Sequence, residues 1–156
     1  MMAIEIWLKL GSMIIAVLLL FLKRKGMKEY LPVGMFASLY AQTGDYIAKY
    51  FGLWNFPNKH HPIRVFRVVD DVSIVVDMVV VPILVMFGVR YTPTKLKARV
   101  RWFFILATSL TIIEFLIERF TNALEYYNGY DWYHSYILWF ISWFIWFEFH
   151  AWFSRE

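Results

Sequence analysis

Five long, mostly apolar stretches, residues 4–22, 30–54, 64–89, 102–124 and 133–153, fill nearly the whole of this chain, and only short connections separate them. An α-helix needs about 20 predominantly apolar residues to cross the hydrocarbon core of a bilayer, and each stretch meets that length. The pattern predicts an all-α, polytopic membrane protein: one integral membrane domain over residues 1–156, folded as a five-transmembrane-helix bundle. Composition agrees, because 60% of the 156 residues are hydrophobic and 18% charged, against roughly 45–50% and about 25% in an ordinary soluble domain. Such a chain is too apolar for intrinsic disorder. With no cysteine it is not a disulfide-framed secreted scaffold either.

Basic residues next to membrane spans stay on the cytoplasmic side. The first connection carries Lys23, Arg24, Lys25 and Lys28, and the third Arg90, Lys95, Lys97, Arg99 and Arg101. The second has Lys59 beside His60 and His61, and residues 122–134 have Glu125 and Asp131 without Lys or Arg. This alternation predicts an N-terminus outside and a C-terminus inside, with Arg155 in agreement. The net charge of +4 then reflects topology and not a nucleic-acid partner. Positive charge follows the first apolar run and no small-residue cleavage site is present, so that run reads as a retained helix and not a signal peptide. Trp7, Tyr30, Trp54, Tyr91, Trp102, Tyr126, Tyr127, Tyr130, Trp132 and Tyr133 lie at span ends, as interfacial aromatic belts do.

An ionisable side chain at the bilayer centre costs at least about 2.5–3.5 kcal/mol, so the polar residues inside the spans are the informative ones. Ser38, Gln42, Asp45 and Lys49 form one stripe at helical spacing, in which Asp45 and Lys49 can pair. Thr111, Glu114, Glu118, Thr121 and Glu125 form a second, flanked by Arg119 and Asn122. Arg67, Asp70, Asp71 and Asp77 form a third. At a rise of about 1.5 Å per residue, Asp77 and Glu114 fall near the middle of their spans. Asp45, Lys49, Arg67, Asp70, Asp71, Glu118 and Arg119 project to the outer half, above apolar segments at 79–87 and 103–107. These positions predict an outward-open acidic cavity with Asp77 and Glu114 as mid-depth acceptors. Asp45, Asp70, Asp71 and Glu118 would line its vestibule, and Lys49, Arg67 and Arg119 would tune their charge. Carboxylates outnumber bases, and unpaired carboxylates in a low-dielectric site take up a proton or hold a cation, so the expected ligand is a proton, a cation or a small cationic molecule. Pro82 must interrupt the third helix and free a backbone carbonyl near Met78, which can coordinate a cation where it lines a cavity.

The alternative is a non-catalytic accessory subunit, in which the same polar residues fix helix packing and the aromatic faces dock a membrane protein partner or a second copy. Ser135, Trp139, Ser142 and Trp146 form a stripe of the packing kind, with Ser142 placed to touch the mid-depth carboxylates. Glu148 and His150 sit near the inner end, as a gate or facing headgroups. His60, His61 and His134 lack metal-ligand spacing, so neither a metal site nor a cofactor is expected. No nucleophile elbow, phosphate loop or dinucleotide fingerprint occurs, which argues against an enzyme.

The second half of the chain carries further motifs: Pro82 in a Val-rich helix, an Arg90-Tyr91-Thr92-Pro93 exit, Lys97 running into Trp102, Glu114 in mid-helix, then Tyr127-Asn128-Gly129-Tyr130-Asp131-Trp132 with Ser135 and His150. These residues resemble a family of small, uncharacterised integral membrane proteins of spore-forming Firmicutes. The chain departs from that pattern where two residues separate Gly129 from Trp132, since the family more often has Asn-Gly-Trp in succession. The resemblance implies a bacterial cytoplasmic membrane and five helices, marks Glu114 and Trp132, and supplies no activity. Length and tryptophan content also invite comparison with the tryptophan-rich sensory proteins, but their Trp-x-Pro-Pro element is missing.

Overall fold

The computed structural model describes residues 2–55, 76–121 and 124–155. Within them the chain is mostly helical, with α1 at Met2–Leu22, α2 at Leu31–Phe51, α3 at Val81–Arg90, α4 at Leu96–Phe120 and α5 at Trp132–Phe153. A 3-10 turn, Met27–Tyr30, leads into α2, and a π-helical turn, Val76–Val80, leads into α3. Two short strands, β1 at Trp54–Asn55 and β2 at Glu125–Tyr126, complete the elements. Arg67, Asp70, Asp71, His60 and His61 lie outside the described residues.

Local chemistry sets the helix ends. Pro32 stands in the first turn of α2, where its missing N–H costs nothing. The helix stops at Gly52, whose φ of 64° is the left-handed conformation that glycine adopts without strain. There the Leu53 amide donates to the Ala48 carbonyl at 2.8 Å, closing the last turn. Asp131 caps α5: its carboxylate accepts from the Trp132 amide at 2.7 Å, while its own amide donates to His134 Nδ1 at 3.1 Å, a reciprocal capping box. Pro82 sits in the first turn of α3. The irregularity it was expected to cause takes the form of the wider π turn immediately before it, and that turn holds Asp77.

The connections meet in alternation. At one end β1 pairs antiparallel with β2, Trp54 opposite Tyr126 and Asn55 opposite Glu125. The Tyr127 amide extends the pairing to the Leu53 carbonyl at 2.8 Å. Asn128 and Gly129, both at positive φ, make the tight Asn-Gly turn that follows, and the Asn128 side-chain amide donates to the Gly52 carbonyl at 3.0 Å. At the opposite end the Arg90 guanidinium donates to the Lys23 carbonyl at 3.1 Å. There too the Tyr30 ring stacks on His150 at 4.6 Å, and Arg99 lies 4.0 Å from Glu148. The basic first and third connections therefore share one end with the C-terminus, and the base-poor second and fourth share the other.

The principal helix pairs are α4 with α5 and α2 with α3. Between them Val33, Ala37, Val81, Val85, Val89, Phe103, Ala107, Trp143 and Trp146 form the core. The Trp143 indole fills the space where a side chain on residue 88 would stand, so Gly88 admits it. The Trp102 indole N–H donates to the Gly88 carbonyl at 3.0 Å. By length and composition one described helix, α4, suffices to cross a membrane, and 17% of its apolar stretch is buried; Leu10–Leu22 is a shorter apolar segment. The polar stripe of α2 and the five tryptophans of α5 lower the hydropathy of those two helices, although their 21 and 22 residues make each about 32 Å long.

Candidate functional site

Two carboxyl groups meet between α2 and the π turn. Asp77 is 5% exposed, and its carboxyl lies within hydrogen-bonding reach of Asp45. The indole N–H of Trp54, on β1, donates to Asp45 Oδ1 at 3.1 Å. Oδ2 of Asp45 and Oδ2 of Asp77 are both buried with no donor among the described residues. An ionised carboxylate only accepts hydrogen bonds, so two in contact are reconciled by a shared proton or by a cation between them. The π turn places Asp77 there, and π-helical turns of this kind are frequent at functional sites.

Glu114 occupies a different environment. Tyr126 Oη and Ser135 Oγ donate to its Oε1, each at 2.7 Å, and Trp139 Nε1 donates to its Oε2, also at 2.7 Å. Three donors from β2 and two turns of α5 thus converge on one carboxyl. Ser135 Oγ is in turn 3.0 Å from the Tyr130 hydroxyl and 3.2 Å from that of Tyr126. Glu114 and Asp45 lie within electrostatic reach of each other, so the two polar clusters are neighbours.

Aromatic rings lie over both. The Trp54 and Tyr130 centroids are 4.8 Å apart, and those of Tyr126 and Tyr130 are 5.1 Å apart. The β1–β2 ladder and the Asn128-Gly129 turn hold these rings in place. Burial pushes the hydroxyls of Tyr126 and Tyr130 well above the usual phenol range, and the nearby Glu114 carboxylate adds to it. Tyr127, by contrast, is exposed, and its hydroxyl bonds Glu125.

The structure thus distributes the residues singled out by spacing. Asp77 meets Asp45, whereas the sequence reading had set Asp77 beside Glu114. Asp45 takes its donor from Trp54. Glu118 stands half-buried one turn beyond Glu114, and Lys49 and Arg119 are exposed. Ser142 does not supply the contact foreseen for it: it donates to the Leu138 carbonyl at 2.7 Å and lies 3.1 Å from Tyr40 Oη. Ser135 and Trp139, higher on the same stripe, reach Glu114 instead. Trp54, Tyr126 and Tyr130 passed as interfacial anchors; the one signal that they were more is the Asn-Gly turn, which fixes Tyr130 relative to β2. His134 is engaged in the α5 cap, and among the described residues no group of three His, Cys, Asp or Glu side chains is placed to hold a metal ion.

No protein-family model, curated protein sequence or solved structure matches the chain. Chemistry alone therefore separates the two clusters. The Glu114 group satisfies its acceptors with donors already in the protein. The Asp45–Asp77 pair leaves a buried oxygen on each carboxyl without a donor among the described residues, which is an arrangement for taking up a positive charge.

Proposed function

We propose that this is a multi-pass protein of a bacterial cytoplasmic membrane that binds, and passes across the membrane, a proton or a monovalent cation at the Asp45–Asp77 pair. The observation that carries this reading is the buried, donor-free Oδ2 of Asp77 against Asp45. The membrane assignment draws on three features. The apolar stretch of α4 is largely uncovered. Large apolar side chains such as Leu22, Leu39, Phe104, Ile113 and Ile137 are exposed on four different helices, far beyond the patches a soluble monomer shows. The basic connections are gathered at one end, which we take as cytoplasmic, so the N-terminus and the aromatic-covered end lie outside. In this reading five spans include residues 64–89, and the ion reaches the pair past Trp54 and Tyr130.

A non-catalytic accessory role is the second reading, and Glu114 favours it: a carboxyl holding donors from two elements stabilises the junction of α4, α5 and β2 without any ligand. Flux into liposomes under imposed proton, sodium and potassium gradients separates the two. Flux that disappears in Asp77→Asn supports the ion site. Absence of flux in both proteins, with the variant folded, supports the accessory role.

A further inference from the structure

We propose that Tyr130, Ser135 and Glu114 form a proton entry chain from the outer end of the bundle toward the interior carboxylates. This rests on the ion-site reading above and specifies its ion as the proton.

The argument is one of hydrogen-bond direction. A serine or tyrosine hydroxyl has one proton to donate. Ser135 gives its proton to Glu114 Oε1 at 2.7 Å, and Tyr126 gives its own to the same oxygen at 2.7 Å. The 3.0 Å contact between Tyr130 and Ser135 is therefore made by the Tyr130 proton, since Ser135 has none left. The two bonds run head to tail: Tyr130 O–H to Ser135 Oγ, and Ser135 O–H to Glu114 Oε1. Trp139 holds Oε2 at 2.7 Å, which keeps Oε1 turned toward the chain.

The ends of the chain suit the task. Tyr130 is half-buried beside the exposed turn at Tyr127, Asn128 and Gly129, whereas Ser135 is 2% exposed. A proton arriving from water binds the Tyr130 oxygen as the phenolic proton moves to Ser135 Oγ. The Ser135 proton then moves to Glu114 Oε1, forming a carboxylic acid there and leaving both hydroxyls reversed. One O–H bond forms and one breaks at each hydroxyl, an O–H bond forms at Glu114 Oε1, no bond between heavy atoms changes, and net charge at Glu114 rises by one unit. Asp45 interacts electrostatically with both Glu114 and Tyr130, and Asp77 lies against Asp45, so a proton held at Glu114 acts on the aspartate pair. The titratable groups facing the chain are thus Tyr126 on β2, Glu114 on α4, Asp45 on α2 and His134 on α5, whose ring stacks on that of Tyr130 at 5.2 Å.

The test compares initial proton uptake in vesicles loaded with a pH-sensitive dye, under a fixed potassium diffusion potential, for wild type, Tyr130→Phe, Ser135→Ala, Asp77→Asn and Tyr127→Phe. Tyr130→Phe keeps the ring beside Trp54 and removes only the outer hydroxyl, so it remains informative even if Ser135→Ala folds poorly. Removing either hydroxyl should slow uptake about tenfold or more, while Tyr127→Phe, outside the chain, keeps the wild-type rate. Wild-type rates in both Tyr130→Phe and Ser135→Ala, with uptake lost in Asp77→Asn, overturn the entry chain and leave the aspartate site standing. Undiminished uptake in Asp77→Asn overturns the aspartate site; slowed uptake in the two hydroxyl variants in that case still supports the chain.

Discussion

Trp54 and Tyr126 stand opposite each other in the two-stranded ladder, and each reaches inward to a different carboxyl. The Trp54 indole donates to Asp45 at 3.1 Å, and the Tyr126 hydroxyl donates to Glu114 at 2.7 Å. A ladder of two residue pairs has little stability of its own. Here its two ends are anchored in carboxyls on α2 and α4, so the second and fourth connections and the polar interior are fixed together.

Removing the Tyr126 hydroxyl or the Glu114 charge should therefore loosen the same junction. Glu114→Gln replaces one acceptor oxygen by an amide donor, so one of three donors loses its partner. The expected loss is about 1.5–3 kcal/mol, the range for a hydrogen bond to a charged group. Tyr126→Phe should lower the melting temperature in detergent as well, and the double variant should lose less than the sum of the two. Simple additivity would show that the two residues do not act through their mutual bond.

The Asp45–Asp77 pair should respond in the opposite sense. Asp77→Asn introduces an N–H donor between two acceptors, so the folded state should be as stable as wild type or more so, although the proposed ion site is removed. Thermal unfolding in detergent at neutral pH measures this. A clear drop in melting temperature would mean that Asp77 is held by a donor the geometry does not account for.

Gly88 is the position at which the core is least forgiving. A methyl group there meets the Trp143 indole, whose ring is itself fully buried and has no free direction in which to move. Gly88→Ala should cost about 1–3 kcal/mol, as overpacking does. Gly44→Ala, in α2 with nothing near its Cβ position, should instead gain up to about 1 kcal/mol from helix propensity. The sign difference between the two is the readout, taken from unfolding midpoints.

Alkaline titration tests the burial of the tyrosine cluster. Tyr126 and Tyr130 have their hydroxyls pushed above the ordinary phenol range in the folded protein. The fold therefore favours their neutral forms. That contribution is fully present below the unfolded value of about 10 and declines as pH rises through and beyond it. Of the ten tyrosines, these two should ionise only as the protein unfolds, seen as late tyrosinate absorbance that coincides with loss of helical signal. Ionisation of all ten before any loss of helix would contradict the burial described.

Much of the architecture was legible in the chain. Apolar stretches long enough for helices are a local property of the chain, so composition and spacing reveal them. The alternation of basic and base-poor connections is likewise local, and the structure places the matching connections together. Helical spacing also put Asp45, Asp77 and Glu114 on polar faces. It could not say which would meet.

The sequence by itself determined where helices form, which faces are polar and which connections carry base, because each depends on neighbours within about two turns of chain. Only the tertiary structure decided that Asp77 answers to Asp45 and that Glu114 belongs to Tyr126, Ser135 and Trp139. Those partners follow from the rotation and offset of one helix against another and from a π turn that advances the residues around α3. Rotation and offset arise from how side chains interlock across the whole bundle, as the Gly88–Trp143 contact does, and no periodicity within a single helix encodes them.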